Sequence, residues 1–134
     1  MTGRKIDLEA EIDATHKEIL DMFPKDLLRL DDIPALRAAI KREPVDFPEN
    51  VLVEDVMIPG LKSDPDVRVR LYKPIDLVKE SPCLLWMHPG GMTIGDANME
   101  DLTSAQRALE HSCLVASIDY RLAPENPYPS APDD

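Results

Sequence analysis

No stretch of this chain approaches eighteen consecutive apolar residues, and its start, Met1 to Asp7, puts no apolar run behind Arg4 and Lys5. Neither a membrane-spanning helix nor a secretory leader is expected, so the sequence implies a cytoplasmic protein with no membrane insertion. Cysteine is sparse. Cys83 and Cys113 are too far apart for a CxxC zinc or redox pair and too few for a disulfide framework, and both are expected to be buried thiols. Basic residues are outnumbered, 15 Lys and Arg against 26 Asp and Glu, and the net charge of −11 repels phosphate backbones and anionic surfaces. No nucleic-acid partner is expected. The acidic runs Glu9, Glu11, Asp13 and Asp31-Asp32 lack ligand spacing and read as solvated helix faces and caps, so no metal is expected either. What is present, 134 residues of which 43% are hydrophobic and 31% charged, suffices for one modest core.

Residues 1–45 have the pattern of a cap-type helical segment. Leu8, Ile12, Ile19 and Phe23 keep one face until Pro24 breaks the run. A second helix is expected from Asp31-Asp32, with Pro34 in its first turn and Leu36, Ala39 and Ile40 on its apolar side. Pro44 and Pro48 mark a linker, and residues 46–134 form the next unit. Val51 to Val53 and Val56 to Ile58 suggest a strand. A second follows in which Val67, Val69 and Leu71 alternate with Arg68, Arg70 and Tyr72, and the two are expected to pair through the turn from Pro59 to Asp66.

From residue 83 alternation gives way to continuity. Cys83 to Met87 and Cys113 to Ala116 are apolar on both faces, as in parallel strands covered by helices on both sides. Between them Asn98 is a candidate cap for a helix with Glu100 and Asp101 in its first turn and Leu102, Ala105 and Leu109 on one stripe. This is a βαβ unit, and the fold class is α/β. The loop at the carboxyl end of its first strand, where open α/β sheets bind ligands, reads HPGGMTIGD over residues 88–96.

Spacing decides what those glycines can do. Gly90 and Gly95 are placed as in a P-loop, but Asp96-Ala97 stands where that chemistry needs Lys and Ser or Thr, and an acid there repels a nucleotide. Gly90, Gly91 and Gly95 do not fit G-x-G-x-x-G either. Adjacent residues without Cβ let two backbone N–H groups face one point, an arrangement able to hold an oxyanion. A glycine pair equally marks an ordinary turn.

HPGGMTIGD, a following helix and then SIDYRLAPENPYPSAPDD resemble the amino-terminal half of the hormone-sensitive-lipase-like esterases of the α/β-hydrolase fold. Their oxyanion loop reads HGGG and their next strand ends in DYRLAPE. The resemblance covers residues 83–134 specifically and the upstream helices and strand pair in kind. It implies a partial α/β-hydrolase with an incomplete sheet, a small acyl-ester substrate, no cofactor, and oxyanion donors at Gly90 and Gly91. Pro89 replaces the family's first glycine. It has no N–H to donate and holds His88 toward extended geometry, which spares the donor positions but alters how the loop enters them. His88, Pro89, Asp119, Tyr120 and Arg121 are expected to support the loop, the last three through hydrogen bonds and an ion pair. His88 is taken as structural, because the general base of this fold comes late in the chain. His111 closes a helix, and His16 lies on a helix surface.

The nucleophile, acid and base of ester hydrolysis are all expected to be missing. None of Ser63, Ser81, Ser104, Ser112, Ser117 and Ser130 has glycine both two residues before and two residues after it, so no G-x-S-x-G elbow exists and no later acid and His follow one. Two readings stay open. The chain is a piece of a carboxylic-ester hydrolase truncated before the nucleophile elbow, inactive alone and prone to self-association along its unpaired strand; or it is a non-catalytic binding or scaffold piece.

Overall fold

The period-two pattern is realised as an antiparallel pair, β1 (Val51–Ile58) and β2 (Val67–Pro74), running in register from Val51 opposite Pro74 to Ile58 opposite Val67. The computed structural model describes residues 32–40 and 44–134. The helical pattern of residues 6–23, His16, the acidic run Glu9 to Asp13 and Asp31 lie outside them. Strands β3 (Cys83–Met87) and β4 (Leu114–Ile118) are parallel, and the sheet order is β1-β2-β4-β3. Strand β4 is therefore central. It pairs antiparallel with β2 and parallel with β3, whose far edge has no strand beside it among the described residues.

Three helical pieces accompany the sheet. Helix α1 (Ile33–Ala39) starts as expected: Asp32 caps it by accepting from the Ala35 N–H at 3.0 Å, Pro34 sits in its first turn, and Leu36 is buried. Helix α2 (Asp101–Glu110) crosses from β3 to β4, and α3 (Ser130–Asp133) is a single turn. The core lies between α2 and one face of the sheet. There Tyr72, Val115, Ala105 and Ala108 are wholly buried, with Phe47, Val53, Leu84, Trp86 and Leu109 packed around them. The small residues Ser104, Ala105 and Ala108 form the buried side of α2, so it can lie close to the strands.

Several sequence expectations need correction here. Asn98 does not cap α2, which begins at Asp101 after Glu100; its side-chain oxygen instead accepts from Arg68 at 2.8 Å, drawn to the nearer charge. Leu102 is exposed, because the helix packs through its small residues. On the Arg68, Arg70 and Tyr72 side of β2, Arg70 pairs with Asp101 at 3.0 Å and Asp55 at 3.1 Å, and the Tyr72 hydroxyl donates to Asp101 at 2.6 Å. Burial first, then Asp101, pushes the Tyr72 phenol well above its ordinary value. Strand β3 is covered on one side only. Leu84 and Trp86 pack beneath α2, with the Arg107 guanidinium 4.0 Å over the indole, whereas Leu85 and Met87 on the other side are 57% and 66% exposed.

Cys83 shares that open side and is exposed, contrary to the buried thiol expected, while Cys113 is buried. Burial, with a smaller contribution from Cys83, raises the Cys113 pKa and suppresses its thiolate. A thiol reagent on the native chain is therefore expected to modify Cys83 rapidly, and Cys113 only after denaturation. Peptide mapping showing equal native labelling of both would contradict the packing of α2 on β4.

Candidate active site

The loop after β3 is organised by its carbonyl groups. The His88 carbonyl accepts from the Tyr120 hydroxyl at 2.7 Å, and the Pro89 carbonyl lies 2.9 Å from His88 Nδ1, which donates to it in the tautomer protonated there. The Gly90 carbonyl accepts from the Thr93 and Ile94 N–H groups and the Thr93 hydroxyl, each at 3.1 Å. The Met92 carbonyl accepts from the Ala123 N–H at 2.8 Å, and the Thr93 carbonyl from Arg37 Nε at 2.9 Å. In a planar trans peptide the N–H points opposite the preceding residue's carbonyl. With the Pro89 and Gly90 carbonyls drawn back into the loop, the Gly90 and Gly91 N–H groups are turned the other way, and neither has a protein acceptor among the described residues. Both glycines line an open cleft of about 560 Å³, with Leu85, Met87, Ile118 and Tyr120 among its other walls.

Glycine is required at these positions for different reasons. Gly90 has φ 131°, and a Cβ there would collide with the Ile94 carbonyl. Gly91 has φ 60° but open space around it, so its requirement is conformational. Met92 continues in the left-handed region at φ 59°, uncommon for a residue with a side chain. A Cβ on Gly95, at φ 99°, would fall on the His88 ring nitrogen. Gly95 thus gives His88 its place, a role that spacing alone did not reveal.

His88 is 3% exposed and its ring stacks on Tyr120 at 4.1 Å, 8° from parallel. That placement makes it a packing and hydrogen-bonding group. Asp119 joins two walls: it accepts from the Ala97 N–H and from Arg68 Nε, both at 3.0 Å, while Arg68 also reaches Asp55 at 3.1 Å. Arg121 braces a third. Its N–H and guanidinium bind Asp134 at 2.8 Å, and it also pairs with Asp64 at 3.4 Å. Of the residues expected to support the loop, His88 and Tyr120 bond to its carbonyls and Pro89 lies exposed at its entry, whereas Asp119 and Arg121 bond to neighbouring segments and not to the loop itself. Ser117 is buried within β4 and on no elbow. Arg37 and Glu125, joined bidentately at 2.8 and 3.0 Å, were not singled out by the sequence, since 88 positions separate them. Among the described residues no three His, Cys, Asp or Glu side chains are arranged to hold a metal, and no helix is long and apolar enough to cross a membrane.

Residues 84–134 match the family model of the α/β hydrolase fold. Carboxylesterase NlhH of Mycobacterium tuberculosis is 31% identical over 126 residues, which are 92% of this chain and 39% of that protein. Esterase LipI of the same species is 37% identical over 133 residues, covering 96% and 40% respectively. A bacterial heroin esterase superposes with a TM-score of 0.75 at 32% identity, over 91% of this chain and 39% of the other. The chain spans about two fifths of the length of these relatives.

Two outcomes follow from this geometry. Gly95→Ala combines a left-handed backbone with a clash against His88 and is expected to lower stability by about 1–3 kcal/mol in urea unfolding; Gly91→Ala meets no neighbour and should cost about 1 kcal/mol. Equal losses would refute the close packing of Gly95. Burial would raise the Asp134 pKa, but hydrogen bonds and charge from Arg121 outweigh it and hold it below the ordinary carboxylate value. The stability it contributes is present above that ordinary value, about 3.9, and is lost as pH falls through the depressed one. Proteolysis of residues 121–134 should therefore accelerate at pH values below about 4 in the native chain. In Asp134→Asn it should be fast already at neutral pH.

Proposed function

Because the chain belongs to the hormone-sensitive-lipase-like esterases of the α/β-hydrolase fold, we propose that residues 88–95 supply the oxyanion loop of a carboxylic-ester hydrolase. The carrying observation is the pair of N–H groups, Gly90 and Gly91, left without protein acceptors among the described residues at the mouth of an apolar cleft. When a nucleophile adds to an ester carbonyl, its oxygen gains charge, and donors already aimed at that point need no reorganisation to stabilise it. The substrate class is a small acyl ester, in keeping with the carboxylesterase and esterase among the relatives. No cofactor enters, since acyl transfer to a serine requires none. Within the cap-type segment proposed for residues 1–45, helix α1 meets the loop through Arg37, whose Nε donates to the Thr93 carbonyl at 2.9 Å.

The 134 residues contain no serine on a G-x-S-x-G elbow, so the nucleophile must come from sequence outside them and these residues alone do not turn over esters. The exposed Leu85 and Met87 beside the edge of β3 that is unpaired among the described residues support self-association of this piece. They also favour the second reading, in which it serves as a binding or scaffold piece. Incubation of the 134-residue chain with a fluorophosphonate probe is expected to give no labelled serine. Labelling together with ester hydrolysis that disappears in the matching Ser→Ala variant would overturn the assignment of the nucleophile elsewhere.

In a full-length protein carrying these residues, Gly91→Val is expected to lose about 2.7–4 kcal/mol of transition-state stabilisation, mostly in kcat, because a β-branched residue resists φ near 60° and misaims one donor. Pro89→Gly leaves both donors in place and should be mild. Loss of activity in Pro89→Gly with Gly91→Val unaffected would remove the donors from these positions.

A further inference from the structure

We propose that Arg37, held by Glu125, is a positioning residue for the oxyanion loop, fixing the Thr93 carbonyl and through it the aim of the Gly91 N–H. This rests on the oxyanion reading given above. Helix α1 places one guanidinium at a junction of three segments that are distant in sequence. Its Nε donates to the Thr93 carbonyl at 2.9 Å, and Nη2 donates to the Ala123 carbonyl at 2.8 Å. The outer nitrogens form a fork on the Glu125 carboxylate at 2.8 and 3.0 Å. Only a planar group with donors in a rigid fork can serve these acceptors together; a Lys ammonium keeps the charge but not the geometry.

The loop needs such a restraint. Gly91 and Met92 are both left-handed, at φ 60° and 59°, and a residue with a side chain stays there only when its surroundings hold it. The carbonyls of Met92 and Thr93 are held by different partners, the first by the Ala123 N–H at 2.8 Å and the second by Arg37. Arg37 also grips the Ala123 carbonyl, so one side chain acts on both restraints. Its bonds to Glu125 hold that carboxyl below its ordinary value. Release of the Thr93 carbonyl frees the turn from Gly91 to Thr93 to leave the left-handed region, and the Gly91 N–H turns with it.

The test uses a full-length protein carrying these residues, ¹⁵N-labelled at Gly, Ile, Ala and Val, with the Gly90 and Gly91 signals assigned by substitution. Arg37→Lys and Arg37→Gln are both expected to shift the Gly90 and Gly91 signals and to speed exchange of the Ile94 and Ala123 amides about tenfold, the scale of one lost hydrogen bond. The amides of Val69 and Val115 in the sheet should keep their shifts. Glu125→Gln, which leaves the bonds to the two carbonyls, should move the same signals in the same direction by less. In the full-length protein Arg37→Lys is expected to lower kcat with KM little changed. Unmoved glycine signals, or rescue by Lys, overturns the proposal, as does a shift spread evenly over the sheet. The spectra are recorded without substrate, so they report on Arg37 whether or not the two glycines bind an oxyanion; Gly91→Val kinetics decide that separately.

Discussion

A peptide cannot present its N–H to a ligand unless something takes its carbonyl the other way. In the loop from His88 to Thr93 the carbonyls of His88, Pro89, Gly90, Met92 and Thr93 all find donors within the protein. Those donors come from separate places: Tyr120 and Ala123 beyond β4, Arg37 on α1, the His88 ring and the loop itself. The two glycine N–H groups at the cleft are thus the forward ends of a set of bonds made behind them. In the oxyanion role proposed for them, their aim would depend less on the two glycines than on the groups that stop them turning away.

The polar residues behind the loop form a second layer with its own logic. Asp119 holds Arg68 and the Ala97 N–H, Arg68 reaches Asp55, and Asp55 and Asp101 share Arg70. These charges replace some of the apolar packing that a larger core would provide. Burial works against the charges of Arg68 and Arg70, but the neighbouring carboxylates outweigh it and raise both pKa values. Removing a single member leaves a partly buried charge without its counter-ion, which is more damaging than the net worth of the pair. The network also joins β1, β2, the loop before α2 and the end of β4, so errors in strand placement would be felt at the cleft.

Local pattern made part of this legible in the sequence. The alternation of β2, the cap at Asp32, the parallel βαβ unit and the glycine pair follow from residue types a few positions apart, and the DYRLAPE resemblance gave the fold. What escaped was set by tertiary geometry. Nothing near Arg37 announces Glu125 or the Thr93 carbonyl, and Gly95 looks like a turn residue until the His88 ring is seen against it. The alternation of β2 does not announce the partners of Arg68 and Arg70, because it records polarity and not what lies opposite. Cys83 and Leu85 read as buried because continuous apolarity does not tell a covered face from an open one.

Strand order carries one more consequence, in the sequence of assembly. Strands β2 and β3 both border β4 and do not border one another. The hairpin of β1 and β2 can close early across its short turn, but β3 has no place beside it until residues 114–118 have docked. Tyr120 and Ala123 arrive with the chain that leaves β4, and they supply the donors for the His88 and Met92 carbonyls. The glycine loop therefore depends for its shape on β4: the strand that joins β3 to the hairpin is also the one whose exit orders the connection at the cleft.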